Sequence, residues 1–387
     1  MKVLVALIAV SVLLAFAILG SQQAALRSFF GIAVPYAALA LFIGGFIYRV
    51  LWWAKSPVPF RIPTTCGQQK SHDWIEPSPY ENPTDTKGVL VRMALEVFFF
   101  RSLFRNTTTE LHPGPRLIYA SNSWLWLAGL AFHYSFLLVL IRHLRFFTEP
   151  VPGFVLTLQS VDGFMEIGLP ALYVTGAVLL GAVTFLLARR LASPQLRYLS
   201  LANDYFPLFL IGTIAGTGLL LRHFIRTDVA SVKDLTLSLL RFQPTVPDGA
   251  TPLFFGHFFL VCVLFAYFPF SKLVHLGGVF MSPTRNLANN NRVIRHINPW
   301  GTKAKLHTYA AYEDEFRARM IQAGIPVEKE TADDPDKKDK KGKAKPAEAK
   351  KSEAKPAEAK KPEAKPAEAK KSDPADPAEA QAKKEEE

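Results

Sequence analysis

Four histidines stand inside strongly apolar sequence, in two pairs on two separate segments. His133 and His143 lie ten apart in SWLWLAGLAFHYSFLLVLIRHLRFF, and His257 and His275 eighteen apart in TPLFFGHFFLVCVLFAYFPFSKLVHLGG. An imidazole in hydrocarbon is costly to keep without a partner or a task. Two imidazoles from facing helices can supply both axial ligands of a b-type heme, so two such pairs could hold two hemes stacked through a membrane. The chain has only two cysteines, Cys66 and Cys262. They cannot supply a four-thiolate cluster or a thiolate-rich structural zinc site, and neither sits in the CxxCH of covalent c-type heme. Any heme here would be held by ligation and packing alone.

The elements that must position these residues are membrane helices. Of 387 residues 49% are hydrophobic, and Phe alone contributes 30, a composition ordinary for a polytopic membrane protein and unusual for a soluble domain. Six stretches, near 3–20, 30–54, 121–147, 167–189, 203–224 and 252–280, are long enough to cross about 30 Å of hydrocarbon. The expected fold is all-α: a polytopic integral membrane bundle of six spans, the last five forming the histidine-bearing core. The expected organisation is an N-terminal transmembrane helix over 1–29, a membrane domain over 30–280 that includes a long polar loop at 55–120, a partner-docking segment over 281–327 and a tail over 328–387. The first stretch also resembles a signal peptide, but its apolar run is long for one, which favours an uncleaved helix.

The net charge of +12 is explained by membrane topology better than by nucleic acid, because the basic residues gather in particular loops and no basic surface interleaved with aromatics is present. The 55–120 loop, the short 190–202 loop and the segment after 280 are rich in Lys and Arg, while 148–166 has none. If the spans alternate, the three basic regions share one side, which the positive-inside rule makes cytoplasmic. The loop at 225–251, with Arg226, Lys233 and Arg241, obeys that rule imperfectly. The expected location is the inner (cytoplasmic) membrane, with the C-terminus in the cytoplasm.

This orientation pairs the histidines. The third span runs outward, so His133 is deeper toward the cytoplasm and His143 near the outer face; the sixth runs inward, so His257 is outer and His275 inner. Ligands on the same side pair, His143 with His257 and His133 with His275. On a continuous helix eighteen residues advance about 27 Å and ten about 15 Å, so the two separations match only if one helix is tilted or bent. Arg142, Arg145 and Arg222 flank the outer pair, where they either anchor span ends or meet heme propionates. Asp162 and Glu166, at the outer mouth of the fourth span, and His223, at the outer end of the fifth, are candidates for a quinone site; ordinary loop carboxylates and interfacial packing are the alternatives. Residues 306–324 predict a soluble helix ending at Gly324. The KPAEAKKSEA-type ten-residue repeats beyond predict disorder, since they lack apolar residues and carry periodic Pro.

The order of the four histidines, both spacings and the two intervening helices without ligands resemble the b-type cytochrome subunit of respiratory nitrate reductase (NarI-like) over roughly residues 30–280. That resemblance implies His133, His143, His257 and His275 as ligands of two heme b. The extra N-terminal span, the Pro-rich loop and SPTRNLANNNRVIRHINPW resemble a narrower branch, the DsrM subunits of the membrane complex of sulfate- and sulfur-metabolising microbes, related also to the cytochrome b of heterodisulfide reductase. The narrower resemblance implies electron relay between menaquinone, as substrate, and a cytoplasmic iron–sulfur partner (DsrK-like), with no complete substrate active site on this chain. The quinone-site lysine of the nitrate reductase relatives has no counterpart at the start of the fourth span. Two readings from other classes stand beside the relay: a structural membrane anchor of a respiratory complex, and a proton-coupled transporter using its buried histidines.

Overall fold

A computed structural model describes residues 1–56, 68–114, 116–163, 171–290 and 306–328. The chain divides into two units, Met1–Lys303 and Ala304–Glu387. The described residues are mostly helical. Six helices among them are long and apolar enough to cross a membrane: α1 (Lys2–Gly20), α2 (Ala24–Ala54) and, beyond the polar loop, four more. Helix α2 contains a π turn at Phe29–Ala33, just ahead of Pro35, whose missing N–H and bulky ring disturb the regular ladder there.

The loop after α2 is not wholly irregular. Helix α3 (Thr86–Phe99) begins where Asp85 accepts the backbone N–H of Gly88, and ends on Phe100 in the left-handed region at φ 50°. Strands β1 (Thr107–His112) and β2 (Arg116–Ser121) then form an antiparallel hairpin, the one departure from the all-α expectation among the described residues. Helix α4 (Ser123–His143) comes next and runs on through a 3-10 turn to Phe146. After it come α5 (Gly153–Asp162), α6 (Val174–Ala192), α7 (Ala202–His223) and the short α8 (Val229–Leu240).

The sixth span departs from expectation. Helix α9 (Pro252–Tyr267) does not continue to 280. It tightens into a 3-10 turn at Phe268–Phe270, and Ser271 is extended, its hydroxyl accepting from the Leu273 N–H. A second 3-10 turn, Lys272–Val274, leads into a separate helix α10 (His275–Met281). Pro269 removes the donor that would continue the helix, and the Ser271 side chain caps the second turn. His257 and His275 therefore do not lie five turns apart on one rod.

Packing centres on α9, the most deeply packed of the spans. The core joins Val10 and Ala17 of α1, Phe30 of α2, Leu179 and Val183 of α6, Leu210 of α7, Leu235 of α8, and Phe255, Leu260 and Leu264 of α9. Close approach depends on small residues, as between helices in lipid. A Cβ on Gly256 would stand 2.9 Å from Ile18 and 3.0 Å from Leu14, and one on Gly45 2.8 Å from Pro269. Many large side chains on the outer faces of α1, α2 and α4 are exposed, as lipid-facing residues of a bundle are.

Beyond the spans, Arg92 of α3 is buried and ties the polar loop to the segment after α10. Its guanidinium donates to the backbone carbonyls of Glu81 (3.1 Å), Arg285 (2.6 Å) and Leu287 (2.9 Å). Around it Asn289 donates its N–H to the Pro83 carbonyl and its side-chain NH2 to Asn82, while Gln69 donates to the Asn289 carbonyl. Burial lowers the Arg92 pKa from its ordinary value. In the second unit, Thr308 caps helix α11 (Tyr309–Gln322), and Gly324, at φ 70°, stands just past its end. The repeats lie outside the described residues.

Candidate functional site

Three of the four histidines bond a backbone carbonyl three or four residues back. Nδ1 of His133 lies 2.8 Å from the Gly129 carbonyl, Nδ1 of His143 2.7 Å from that of Val139, and Nδ1 of His275 2.9 Å from that of Lys272. A carbonyl only accepts, so in each case Nδ1 is the protonated nitrogen, and a neutral ring keeps its lone pair on Nε2. His257 reaches the same state by another route. Its Nδ1 lies 2.9 Å from Thr217 Oγ1, and that hydroxyl is 2.8 Å from the Thr213 carbonyl and 3.1 Å from that of Ile214. The hydroxyl gives its one proton to a carbonyl and accepts from His257. All four rings thus present Nε2 as the free nitrogen, with the Nδ1–H anchored behind it, which is the arrangement of a metal-ligating imidazole.

The inner pair meets directly. The rings of His133 and His275 stand 5.9 Å apart, centre to centre, with planes at 86°. Two metal–nitrogen bonds of about 2 Å plus the distance from each ring nitrogen to its ring centre give about 6 Å for two imidazoles sharing one metal. The break in the sixth span turns His275 at the first residue of α10 toward α4. Phe100 and Phe132 pack edge-on to His133, at 4.9 and 5.0 Å. The outer pair, His143 and His257, is within electrostatic reach of one another. Gly218 of α7 leaves room for the His257 ring, since a Cβ there would stand 3.3 Å from its Cε1. These residues fit b-type heme: two pairs of neutral imidazoles from α4 and from the broken sixth span, each ring with one tautomer and its second nitrogen tethered. Among the described residues no three His, Cys, Asp or Glu side chains converge as a bare metal ion would need.

The remaining candidates surround the outer pair or lie apart from it. Arg142 is buried and forms an ion pair with Asp162, Nε to Oδ2 2.8 Å, while its terminal nitrogen donates to Thr175 Oγ1. Asp162 also accepts from the Thr175 N–H and hydroxyl. Asp162, a quinone-site candidate from the sequence, is thus a buried, paired group, unlike an ordinary loop carboxylate. Arg222 donates twice to the Ala171 carbonyl, and the guanidinium carbons of Arg142 and Arg222 both lie 3.9 Å from the Tyr173 ring centre. Arg145 donates to Gln159. His223 ends α7 with a buried Nε2 that has no hydrogen-bond partner among the described residues. Glu166 lies outside the described residues. Sequence reasoning missed Thr217, Gly218, Thr175 and Tyr173. Each matters through a residue distant in the chain, and nothing local in the sequence marks that neighbour.

Fold and site together define a multi-pass membrane helical bundle that brings the His133 and His275 imidazoles together edge-on. The family model of the nitrate reductase gamma subunit matches residues 93–297, a stretch that includes all four histidines, and the chain belongs to that family. It is 46% identical over 278 residues to an Hdr-like menaquinol oxidoreductase cytochrome b-like subunit of Archaeoglobus fulgidus, covering 70% of this chain and 83% of the relative. It is 43% identical over 283 residues to the protein of the same description in Archaeoglobus profundus, covering 71% and 83%.

Proposed function

We propose that this chain is the cytochrome b subunit of a menaquinol-oxidising membrane complex, carrying two heme b and relaying electrons between menaquinol and a cytoplasmic iron–sulfur partner. The observation that carries this reading is the His133–His275 pair, 5.9 Å apart with both Nε2 atoms free. The names of the two Archaeoglobus relatives support the quinol and the cytochrome. His133 and His275 hold the inner heme, and His143 and His257 the outer. Bound heme supplies a reversible one-electron centre. The chain's own part is to fix ring tautomer and orientation and to exclude water with Phe100 and Phe132.

Menaquinol oxidation at the outer side yields menaquinone, two electrons and two protons. His223 offers a buried Nε2 able to accept a proton, whereas Asp162 is already held by Arg142 and Thr175. Arg145 and Arg222, near the outer pair, are the side chains available to propionates. The partner docks on the cytoplasmic face at the 55–120 loop and the 281–327 segment; the Arg92 bonds, which tie Glu81 of the loop to Arg285 and Leu287, support a shared surface there. In this reading the chain is a DsrM-type subunit of dissimilatory sulfur metabolism in the inner membrane, its C-terminus cytoplasmic.

Heme quantitation on the purified chain tests the core of this. Two heme b per chain are expected, reducible by a menaquinol analogue. A preparation that is colourless after expression with heme supplied would overturn the relay and leave a membrane anchor.

A further inference from the structure

Three ligand rings lean on a carbonyl of their own helix turn, but His257 leans on a different span. Its Nδ1–H is accepted by the Thr217 hydroxyl of α7, a helix that contributes no ligand. Thr217 is buried, and its own proton is committed to the carbonyl one turn back, so the oxygen faces His257 as an acceptor. The next residue, Gly218, borders the same ring: a Cβ there would press on His257 Cε1 at 3.3 Å. Thr217, with the Ile214 carbonyl of the same helix turn close by, fixes which nitrogen carries the proton, and Gly218 fixes how the ring can turn.

We infer that Thr217 and Gly218 are positioning residues for the His257 imidazole, setting the electronic character of the outer heme without touching the inner one. The inference rests on the heme reading above. An accepted Nδ1–H pushes electron density toward Nε2 and makes the imidazole a stronger donor, which favours the oxidised, more positive iron. Removing the acceptor weakens the donor and raises the reduction potential of that heme. Helix α7 would thereby tune a centre it does not ligate.

The experiment is a redox titration of the purified full chain, tracked by heme absorbance and low-spin electron paramagnetic resonance, for Thr217→Val, Thr217→Ser and Gly218→Ala. In Thr217→Val one midpoint is expected to move positive by roughly tenfold in the redox equilibrium, about 59 mV for one electron, with the other midpoint unchanged. Thr217→Ser keeps the acceptor and is expected to restore the original value. Gly218→Ala favours the helix, so folding is retained, and it is expected to alter the resonance of the same heme only. A Thr217→Val chain that retains one heme while Thr217→Ser retains two supports the same assignment. Two unchanged midpoints in Thr217→Val, or equal shifts in both, overturn it. A wild-type chain without heme instead sinks the underlying heme reading, so the two failures are told apart.

Discussion

An imidazole binds metal through one nitrogen at a time, and the group that holds the other decides which. At the residue scale, the Nδ1 contacts of His133, His143, His257 and His275 turn four imidazoles set in apolar segments into four oriented donors. His275→Ala and His257→Ala are each expected to lower heme from two per chain to one, measured as pyridine hemochrome; a variant that keeps both hemes would break the pairing. Arg142 makes a second residue-scale prediction. Replacing it with Met leaves the buried Asp162 uncompensated, a cost of about 3–5 kcal/mol, while Arg142→Met with Asp162→Leu removes both charges and restores much of that. Thermal unfolding in detergent reads both, and equal destabilisation in the single and double variants would count against a buried pair. The histidines were legible because imidazole is rare in apolar sequence. Their anchors were not: a backbone carbonyl carries no residue signature, and Thr217 lies forty residues from its ring.

At the element scale, the break in the sixth span has most consequence. Hydropathy alone runs on to residue 280 and reads one helix, because Phe268, Phe270 and Val274 are as apolar as the residues before them. Pro269 and Ser271 were in view, but an average over apolarity does not register a lost donor or a capping hydroxyl. Pro269→Ala is expected to let α9 extend and turn His275 away from His133, lowering inner heme occupancy and sparing the outer. Unchanged spectra in that variant would assign the bend to packing elsewhere. Asp228 caps α8 by accepting from the Ser231 hydroxyl and from the N–H groups of Ala230 and Ser231, and these bonds hold its carboxyl below the usual range. The folded state favours the ionised form, so the cap is complete at neutral pH and is lost as pH falls through the lowered pKa. Protection from hydrogen exchange at the start of α8, taken relative to the intrinsic amide rate at each pH, is expected to fall on acidification in the wild type and to be low and independent of pH in Asp228→Asn.

At the scale of the whole molecule, the six spans could be read from the sequence, and the hairpin and α3 within the polar loop could not. The hairpin alternates too weakly to stand out, and Arg92 looks like one more loop cation until its three carbonyl partners are seen. Arg92→Met is expected to leave the heme content of the chain unchanged while making the 68–105 region sensitive to limited proteolysis and, on the proposed relay, slowing electron transfer out of the chain. Intact resistance to protease would show that the surface holds without it.

Helix α1 packs on a small-residue notch of α9, with Leu14 and Ile18 seated over Gly256. The same helix also lies along α7, so it closes a groove built by two spans far from it in the chain. One span, α9, thus offers both the seat of α1 and the ring of His257, so closure of the bundle and completion of the outer histidine pair depend on the same helix.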